Sequence, residues 1–173
     1  IYGRKRIFKI GLVIYACGSA LTAASWSVAS LALGWSVLEG IGAAMVMPAM
    51  VALVAGNFEG KNRAIAYGVL GGMAGVGIAV GPILGGWMTT DFTWRYVFLG
   101  EVALAAAIFI GTRWMLEPPA LGRRPRLDVV GGVLSALGLA VMVMGVLQAS
   151  NWGWLRPMNS PVVIFGFSLT PFV

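Results

Sequence analysis

The stretch that decides the fold is Gly68–Gly86, GVLGGMAGVGIAVGPILGG, which carries eight glycines, one proline and no charge. It lies inside a longer uncharged run, 64–90, and a helix needs about 20 residues to cross a bilayer. In water so many glycines would destabilise a helix, since each costs roughly 1 kcal/mol relative to alanine. In lipid, backbone groups cannot leave the helix, and small residues let neighbouring backbones approach closely. The stretch therefore predicts a membrane-spanning helix.

The composition of the whole chain also indicates a membrane protein. Of its 173 residues, 59% are hydrophobic and 10% are charged, whereas soluble domains carry about 25% charged residues. With no histidine and one cysteine, the chain can form neither an internal disulfide nor a Cys/His metal site. Its net charge of +6 lies in short basic clusters between hydrophobic runs, as in membrane loops. We expect a lipid bilayer around the chain and no nucleic-acid partner.

Polar breaks divide the hydrophobic sequence into membrane spans. Helices are predicted over about 8–27, 31–56, 64–89, 94–115 and 129–149, with a truncated sixth from about Pro161. The segment 117–127, EPPALGRRPRL, is rich in proline and arginine and is predicted to be a linker. We therefore expect an all-α, polytopic membrane helical bundle that is incomplete, with residues 1–116 in one bundle and 128–173 as an additional helix pair. Because the sequence opens on isoleucine and stops inside a hydrophobic stretch, we expect a fragment of a longer protein.

The basic residues predict the orientation of the chain. If the five complete spans alternate in direction, ten of the twelve basic residues fall on one side of the membrane. Lysine and arginine accumulate on the cytoplasmic side. We therefore expect a multi-pass protein of a prokaryotic plasma membrane, with the start of the chain in the cytoplasm.

The glycines of the decisive stretch form a motif. They match the pattern G-x8-G-x3-G-P-x2-G-G at Gly68, Gly77, Gly81, Pro82, Gly85 and Gly86. This pattern resembles the antiporter signature in the fifth helix of the major facilitator superfamily. From spacing alone, the same residues also fit plain tight helix packing.

Four further stretches resemble the same family in the same order. Gly3, Arg4, Lys5 and Arg6 are similar to half of the basic loop between helices two and three. Gly40 and Gly42, with Pro48, resemble the fourth-helix signature, and residues 94–98 resemble the start of helix six. Residues 127–131 are similar to the entry to helix seven in the fourteen-helix drug:proton antiporter branch. The resemblance spans nearly the whole chain.

The resemblance implies a function and an energy source. The chain would hold helices three to seven and part of eight of a transporter that exports amphipathic compounds by alternating access. A proton gradient would drive export without a cofactor, and the partners would be protons, a small amphipathic substrate and the helices of the same protein that the chain lacks. The glycine motif would pack and gate the helices. The basic loop, Gly3 to Arg6, would be a cytoplasmic latch with an acidic partner, although any cytoplasmic loop carries such charges.

Two carboxylates inside predicted spans are candidates for proton coupling. Glu39 lies roughly 12 Å into a core of about 30 Å, where an ionised carboxylate costs several kcal/mol unless it holds a proton. A neutral acid in a structural hydrogen bond is the alternative interpretation. Four residues before Gly40 the family usually has an arginine linked to proton transfer, and here that residue is Ser36. Glu101 is shallower, which favours a water-facing or Arg95-linked role over a coupling role.

Other functions remain open at this point. A facilitator-family carrier of a polar solute and a non-transporting membrane sensor both fit a polytopic helical chain. A membrane enzyme is disfavoured because the chain has no histidine and no pair of intramembrane aspartates, and it carries no nucleotide-binding P-loop. We therefore expect no enzymatic activity.

Overall fold

The computed structural model describes residues 3–117, 128–153, 163–164 and 167–168, and the chain divides into two compact units, Ile1–Gly122 and Arg123–Val173. The elements of the first unit are α1 (Arg4–Ala23), α2 (Val28–Ala32), a π-helical segment (Leu33–Glu39), α3 (Gly40–Asn57), α4 (Gly60–Asp91), α5 (Arg95–Gly111) and a 3₁₀ turn (Thr112–Trp114). Those of the second are α6 (Val129–Trp152), β1 (Val163–Ile164) and β2 (Phe167–Ser168). We call the continuous helix formed by α2, the π-helical segment and α3, Val28–Asn57, the α2–α3 helix.

The predicted all-α membrane fold is confirmed. Among the described residues, five helices are long and apolar enough to cross a membrane, and they fall where the charge-free runs predicted them. The largest differences are at the ends. Helix α1 begins at Arg4 rather than near residue 8 and ends at Ala23 rather than near residue 27. The early start brings the basic residues into the first turn, where Arg4 and Lys5 donate to neighbouring helix ends.

Helix α1 lies at the centre of the first unit. It packs against the α2–α3 helix on one side and against α5 on the other. The buried apolar side chains come from these elements: Phe8, Leu12, Ala49, Leu53 and Ala105. A second set of buried residues is polar: Ser19, Thr22, Ser25, Ser30, Glu39 and Thr112. The interior of this unit therefore contains buried polar side chains as well as an apolar core.

Glycines allow α1 and the α2–α3 helix to touch along their backbones. A Cβ added at Gly42 would lie 2.6 Å from the backbone nitrogen of Tyr15, and one added at Gly18 would lie 2.7 Å from the backbone nitrogen of Glu39. One added at Gly34 would lie 2.8 Å from the backbone nitrogen of Thr22. Real Cβ atoms do not approach so closely, so each position requires glycine. Close packing of this kind is how small residues join membrane helices.

The glycine-rich stretch, in contrast, has no close neighbour in this part of the molecule. Helix α4 has no buried residue and continues through Pro82. A Cβ added at any glycine from Gly68 to Gly86 would meet no atom within 4 Å. Tight packing of these glycines against a neighbouring helix is thus not found in the described part of the chain. The packing and gating role of Gly68, Gly77, Gly81, Pro82, Gly85 and Gly86 stays a prediction.

The sixth span predicted from Pro161 is wrong at the four residues that the structure describes there. Val163–Ile164 pairs antiparallel with Phe167–Ser168, with Val163 opposite Ser168 and Ile164 opposite Phe167. Branched and aromatic residues favour an extended backbone over a helical one, which is consistent with this pairing. The rest of that predicted span, and residues 118–127 of the predicted linker, lie outside the described residues.

A serine pair begins the α2–α3 helix, at the break predicted between the first two spans. The Ser27 side chain accepts a hydrogen bond from the backbone of Ser30 at 3.1 Å, and the Ser30 side chain accepts one from the backbone of Ser27 at 3.1 Å. This reciprocal pair is a capping box, which satisfies two otherwise free backbone donors. It fixes the point at which the helix starts.

Replacing Ser27 with alanine is expected to destabilise the folded full-length protein by about 1 kcal/mol, because the N-cap acceptor is lost. The effect is measured as a lower midpoint of thermal unfolding in detergent. Ser36→Ala, at an exposed serine of the same helix, is the matched control and should leave the midpoint unchanged. Equal midpoints for the two variants would contradict a capping role for Ser27.

Candidate functional site

The candidate site is built around Glu39, the last residue of the π-helical segment. Its side chain is 5% exposed although it carries a carboxylate. The Thr22 hydroxyl lies 3.4 Å from Oε1 of Glu39 and 2.9 Å from the backbone carbonyl of Gly18, and it can donate its one hydrogen to either of these acceptors. Gly18 permits this burial, since a larger residue there would collide with the backbone and Cγ of Glu39. The predicted intramembrane carboxylate is thus enclosed by α1.

The second carboxylate, Glu101, approaches the same face of α1 from α5. Its Oε2 accepts hydrogen bonds from the Tyr15 hydroxyl at 3.2 Å and from the Ser19 hydroxyl at 3.0 Å. Ser19 is fully buried, and it lies one turn before Thr22 on the same face of α1. The structure therefore brings both candidate carboxylates to one polar cluster on this face of α1.

Glu101 does not have the Arg95 partner that was one of the interpretations of the sequence. The Arg95 guanidinium donates instead to the backbone carbonyl of Ser25 and lies over the Trp94 ring, 4.7 Å from its centroid. Arg95 is in the first turn of α5, whereas Glu101 lies nearly two turns further along. The difference arises because Arg95 reaches the end of α1 while Glu101 faces its middle.

The three hydroxyl residues that hold the carboxylates were missed in the sequence. Tyr15, Ser19 and Thr22 are spaced i, i+4 and i+7, so they share one face of α1. In a helix that is otherwise apolar, this spacing is a detectable signal for a polar stripe. Serine and threonine in helices commonly bond their own backbone, and Thr22 does so as well. Because such backbone bonds are common, hydroxyl residues at this spacing do not by themselves indicate a site.

The chemistry of this cluster is set by its donors. A serine or threonine hydroxyl carries one hydrogen, so Thr22 cannot donate to Gly18 and to Glu39 at the same time. An ionised Glu39 would lose this donor whenever Thr22 bonds its own helix, which is costly in a water-poor interior. A proton on Glu39 supplies a donor and removes the repulsion between two like charges. The arrangement is therefore suited to holding and releasing a proton.

Aromatic rings lie one turn away from both carboxylates. Trp35 precedes Glu39 by four residues in the π-helical segment, and Phe98 precedes Glu101 by three in α5. Their ring centroids are 5.9 Å apart in an edge-to-face contact, and Trp94 contacts Phe98 in the same way at 5.8 Å. More than half of the Trp35 side chain is exposed. This apolar surface adjoins the carboxylate cluster.

The predicted latch residues lie at the opposite end of α1. Arg4 donates to the backbone carbonyl of Ala52 in α3 at 3.2 Å, and Lys5 donates to that of Met115 at 2.6 Å. Arg6 is exposed. A Cβ added at Gly3 would lie 2.5 Å from the carboxylate of Glu117, so an acidic side chain adjoins the start of the basic segment. Backbone carbonyls are therefore the partners that the structure shows for Arg4 and Lys5.

The residues of the fourth-helix motif have different surroundings. Gly42 is buried against the backbone of Tyr15, the residue that holds Glu101. A Cβ added at Gly40 would meet no atom within 4 Å. Pro48 lies inside α3, and the helix continues through it. Of this motif, Gly42 is the residue that bears directly on the site.

Comparison with known proteins agrees with this architecture. The family model of the Major Facilitator Superfamily matches residues 1–126. The chain is 32% identical over 158 residues to a probable actinorhodin transporter of Streptomyces coelicolor, covering 89% of this chain and 27% of that protein. It is 32% identical over 166 residues to a puromycin resistance protein of Streptomyces alboniger, covering 95% and 33%. It is 29% identical over 168 residues to a methylenomycin A resistance protein of Bacillus subtilis, covering 96% and 35%. The chain thus spans about a third of the length of the curated relatives that it matches.

Proposed function

Because the chain belongs to the Major Facilitator Superfamily, we propose that the full-length protein is a secondary transporter that exports amphipathic, drug-like compounds in exchange for protons. Export would proceed by alternating access, with the proton gradient as the energy source and no cofactor. The names of the relatives support export of small molecules, since they include a probable actinorhodin transporter and a tetracenomycin C resistance and export protein.

The observation that carries the proposal is the burial of Glu39 among hydroxyl groups. Its carboxylate accepts from Thr22 and, among the residues that the structure describes, is not bonded to a cation. An ionised carboxylate without a cation in a membrane interior costs several kcal/mol. The group would therefore hold a proton while the site is dry and release it when water or substrate reaches it. Proton exchange requires a group that responds to access in this way.

The distribution of charge supports a cytoplasmic start of the chain. Arg4 and Lys5 at the start of α1 lie beside the ends of α3 and α5, and Arg63 near the start of α4 donates to Ala55 and Phe58 near the end of α3. Basic residues thus gather at one end of the first unit. Since lysine and arginine favour the cytoplasmic side, we assign this end to the cytoplasm of a prokaryotic cell, with the protein in its plasma membrane.

The proposal is tested with the purified full-length protein in lipid vesicles. An imposed proton gradient should drive a fluorescent amphipathic compound against its concentration gradient, with proton movement in the opposite direction recorded by a pH-sensitive dye. A protonophore should abolish the uphill flux. Flux that ignores the proton gradient would favour the facilitator-type carrier, and absence of flux for a panel of amphipathic compounds would favour the sensor. Either result would overturn the proposal.

A further inference from the structure

The α2–α3 helix contains an unusual turn at the candidate site. Seven residues, Leu33–Glu39, are π-helical inside a helix that is otherwise α-helical. A π turn closes from residue i to i+5, one residue more than an α turn, and such turns occur frequently at functional sites. One residue corresponds to about 100° of rotation about an α-helix. We call the π turn a wide turn. When a wide turn moves by one residue along a helix, the residue that it passes rotates about the helix axis by about this angle.

The two flanks of this segment are fixed, so the rotation would be local. On one flank, Gly34 packs against Thr22 and the backbone of Gly18. On the other, Gly42 packs against the backbone of Tyr15. Between them, Gly40 has open space around it, since an added Cβ would meet no atom within 4 Å. The wide turn can therefore move from Glu39 toward Gly40 without separating the helix from α1.

Two side chains of functional interest are fixed to this one segment. Glu39 is held by a long hydrogen bond from Thr22, at 3.4 Å. Trp35 is held by its edge-to-face contact with Phe98, with ring centroids 5.9 Å apart. A shift in the register of the helix changes the surroundings of both residues, because they lie on the same continuous backbone.

We infer that the π-helical segment is a register switch that couples the protonation of Glu39 to the aromatic contact between Trp35 and Phe98. This inference rests on the proposed function. With its proton, Glu39 packs against Thr22 and Ser19. After it loses the proton, the wide turn moves toward Gly40, the carboxylate rotates out of the cluster, and Trp35 is released from Phe98. A compound that binds Trp35 shifts the same equilibrium, because a ligand favours the state that it binds better.

The titratable groups that face Glu39 enter the test as well. They are Tyr15 from α1 and Glu101 from α5. Since Glu101 carries a second carboxylate, the response to pH must be assigned with a Glu39 variant. Glu39→Gln keeps the size of the side chain and its neutral state but cannot release a proton. It should hold the segment in one register at every pH.

The experiment places a nitroxide spin label at three consecutive positions of the full-length protein in vesicles. The variants Ser36→Cys, Val37→Cys and Leu38→Cys are made in a background with Cys17→Ser and no other cysteine. Ser36 and Val37 are exposed and Leu38 is half-buried, so at acid pH the first two labels should be more mobile than the third. At alkaline pH this pattern should move by one residue along the helix, so that the label at position 38 is no longer the least mobile of the three. In Glu39→Gln the acid order should persist.

Controls separate this inference from the proposed function. A label at Val51, an exposed position of α3, should not respond to pH. Trp35→Ala should move the pH midpoint of the shift, whereas Trp87→Ala, which removes the edge-to-face contact with Phe92, should not. The same order of mobility at acid and alkaline pH, or an unchanged midpoint in Trp35→Ala, would overturn the switch. Proton-driven efflux by that same protein would leave the proposed function standing.

Discussion

In the full-length protein, Glu39→Gln lowers proton-driven efflux by about tenfold or more, equivalent to about 1.4 kcal/mol in the driving step. The reason is chemical rather than structural. Glutamine has nearly the shape of glutamate and can still accept the hydrogen bond that Thr22 donates to Oε1. It cannot take up or release a proton. Efflux against a concentration gradient in vesicles, with and without an imposed pH gradient, measures the effect.

A second measurement on the same variant separates coupling from translocation. Exchange of labelled for unlabelled substrate at equal concentrations needs alternating access but no net proton movement. Glu39→Gln should therefore retain exchange while its net flux no longer responds to the pH gradient. If Glu39 had only a structural role, both activities would fall together with the amount of folded protein.

The matched control for this prediction is Glu59→Gln. Glu59 is exposed and precedes α4, outside the carboxylate cluster. The same chemical change there should alter neither net flux nor exchange. Full proton-driven efflux by Glu39→Gln would show that the proton is carried elsewhere.

Much of the fold could be predicted because the membrane imposes it. Charge-free runs of sufficient length must be helices, since unpaired backbone groups are too costly in lipid. The five spans follow from this constraint alone. Glu39 could be recognised for the same reason, because a carboxylate inside a charge-free run is rare and costly. The identity and position of this one residue were sufficient to select it as a candidate.

The partners of Glu39 could not be predicted in the same way. Contacts between Glu101 and Tyr15 join residues 86 positions apart, and a sequence shows which residues share a helix face but not which helix faces meet. The π-helical segment left no signal either, since Leu33–Glu39 reads as an ordinary apolar helix. Such wide turns depend on tertiary packing, here at Gly18 and Gly34.

The glycines show most clearly that a sequence does not reveal which helix faces meet. Density of glycine drew attention to the stretch Gly68–Gly86, yet these glycines contact nothing in the described part of the chain. The close backbone contacts are made by isolated glycines, such as Gly18, Gly34 and Gly42. A small residue permits two helices to approach, but only the fold determines where they do so. In this unit, therefore, the density of glycine in the sequence did not indicate where the helices make their closest contacts.

A single added methyl group at Gly42 is the sharpest test of this packing. In Gly42→Ala the new Cβ would lie 2.6 Å from the backbone nitrogen and 2.7 Å from the Cα of Tyr15. Backbone atoms cannot move aside as a flexible side chain can, so α1 must separate from α3. Overpacking of this kind costs about 1–3 kcal/mol and occasionally more. We expect a lower midpoint of thermal unfolding for the full-length protein.

The control for Gly42→Ala is two residues away on the same helix. Gly40→Ala adds the same methyl group where no atom lies within 4 Å, and alanine favours a helix over glycine by about 1 kcal/mol. Its midpoint should therefore stay unchanged or rise. Because Tyr15 also donates to Glu101, Gly42→Ala should also reduce proton-driven efflux per folded molecule. If the two alanine variants unfold at the same temperature, the backbone contact between α1 and α3 does not hold this unit together.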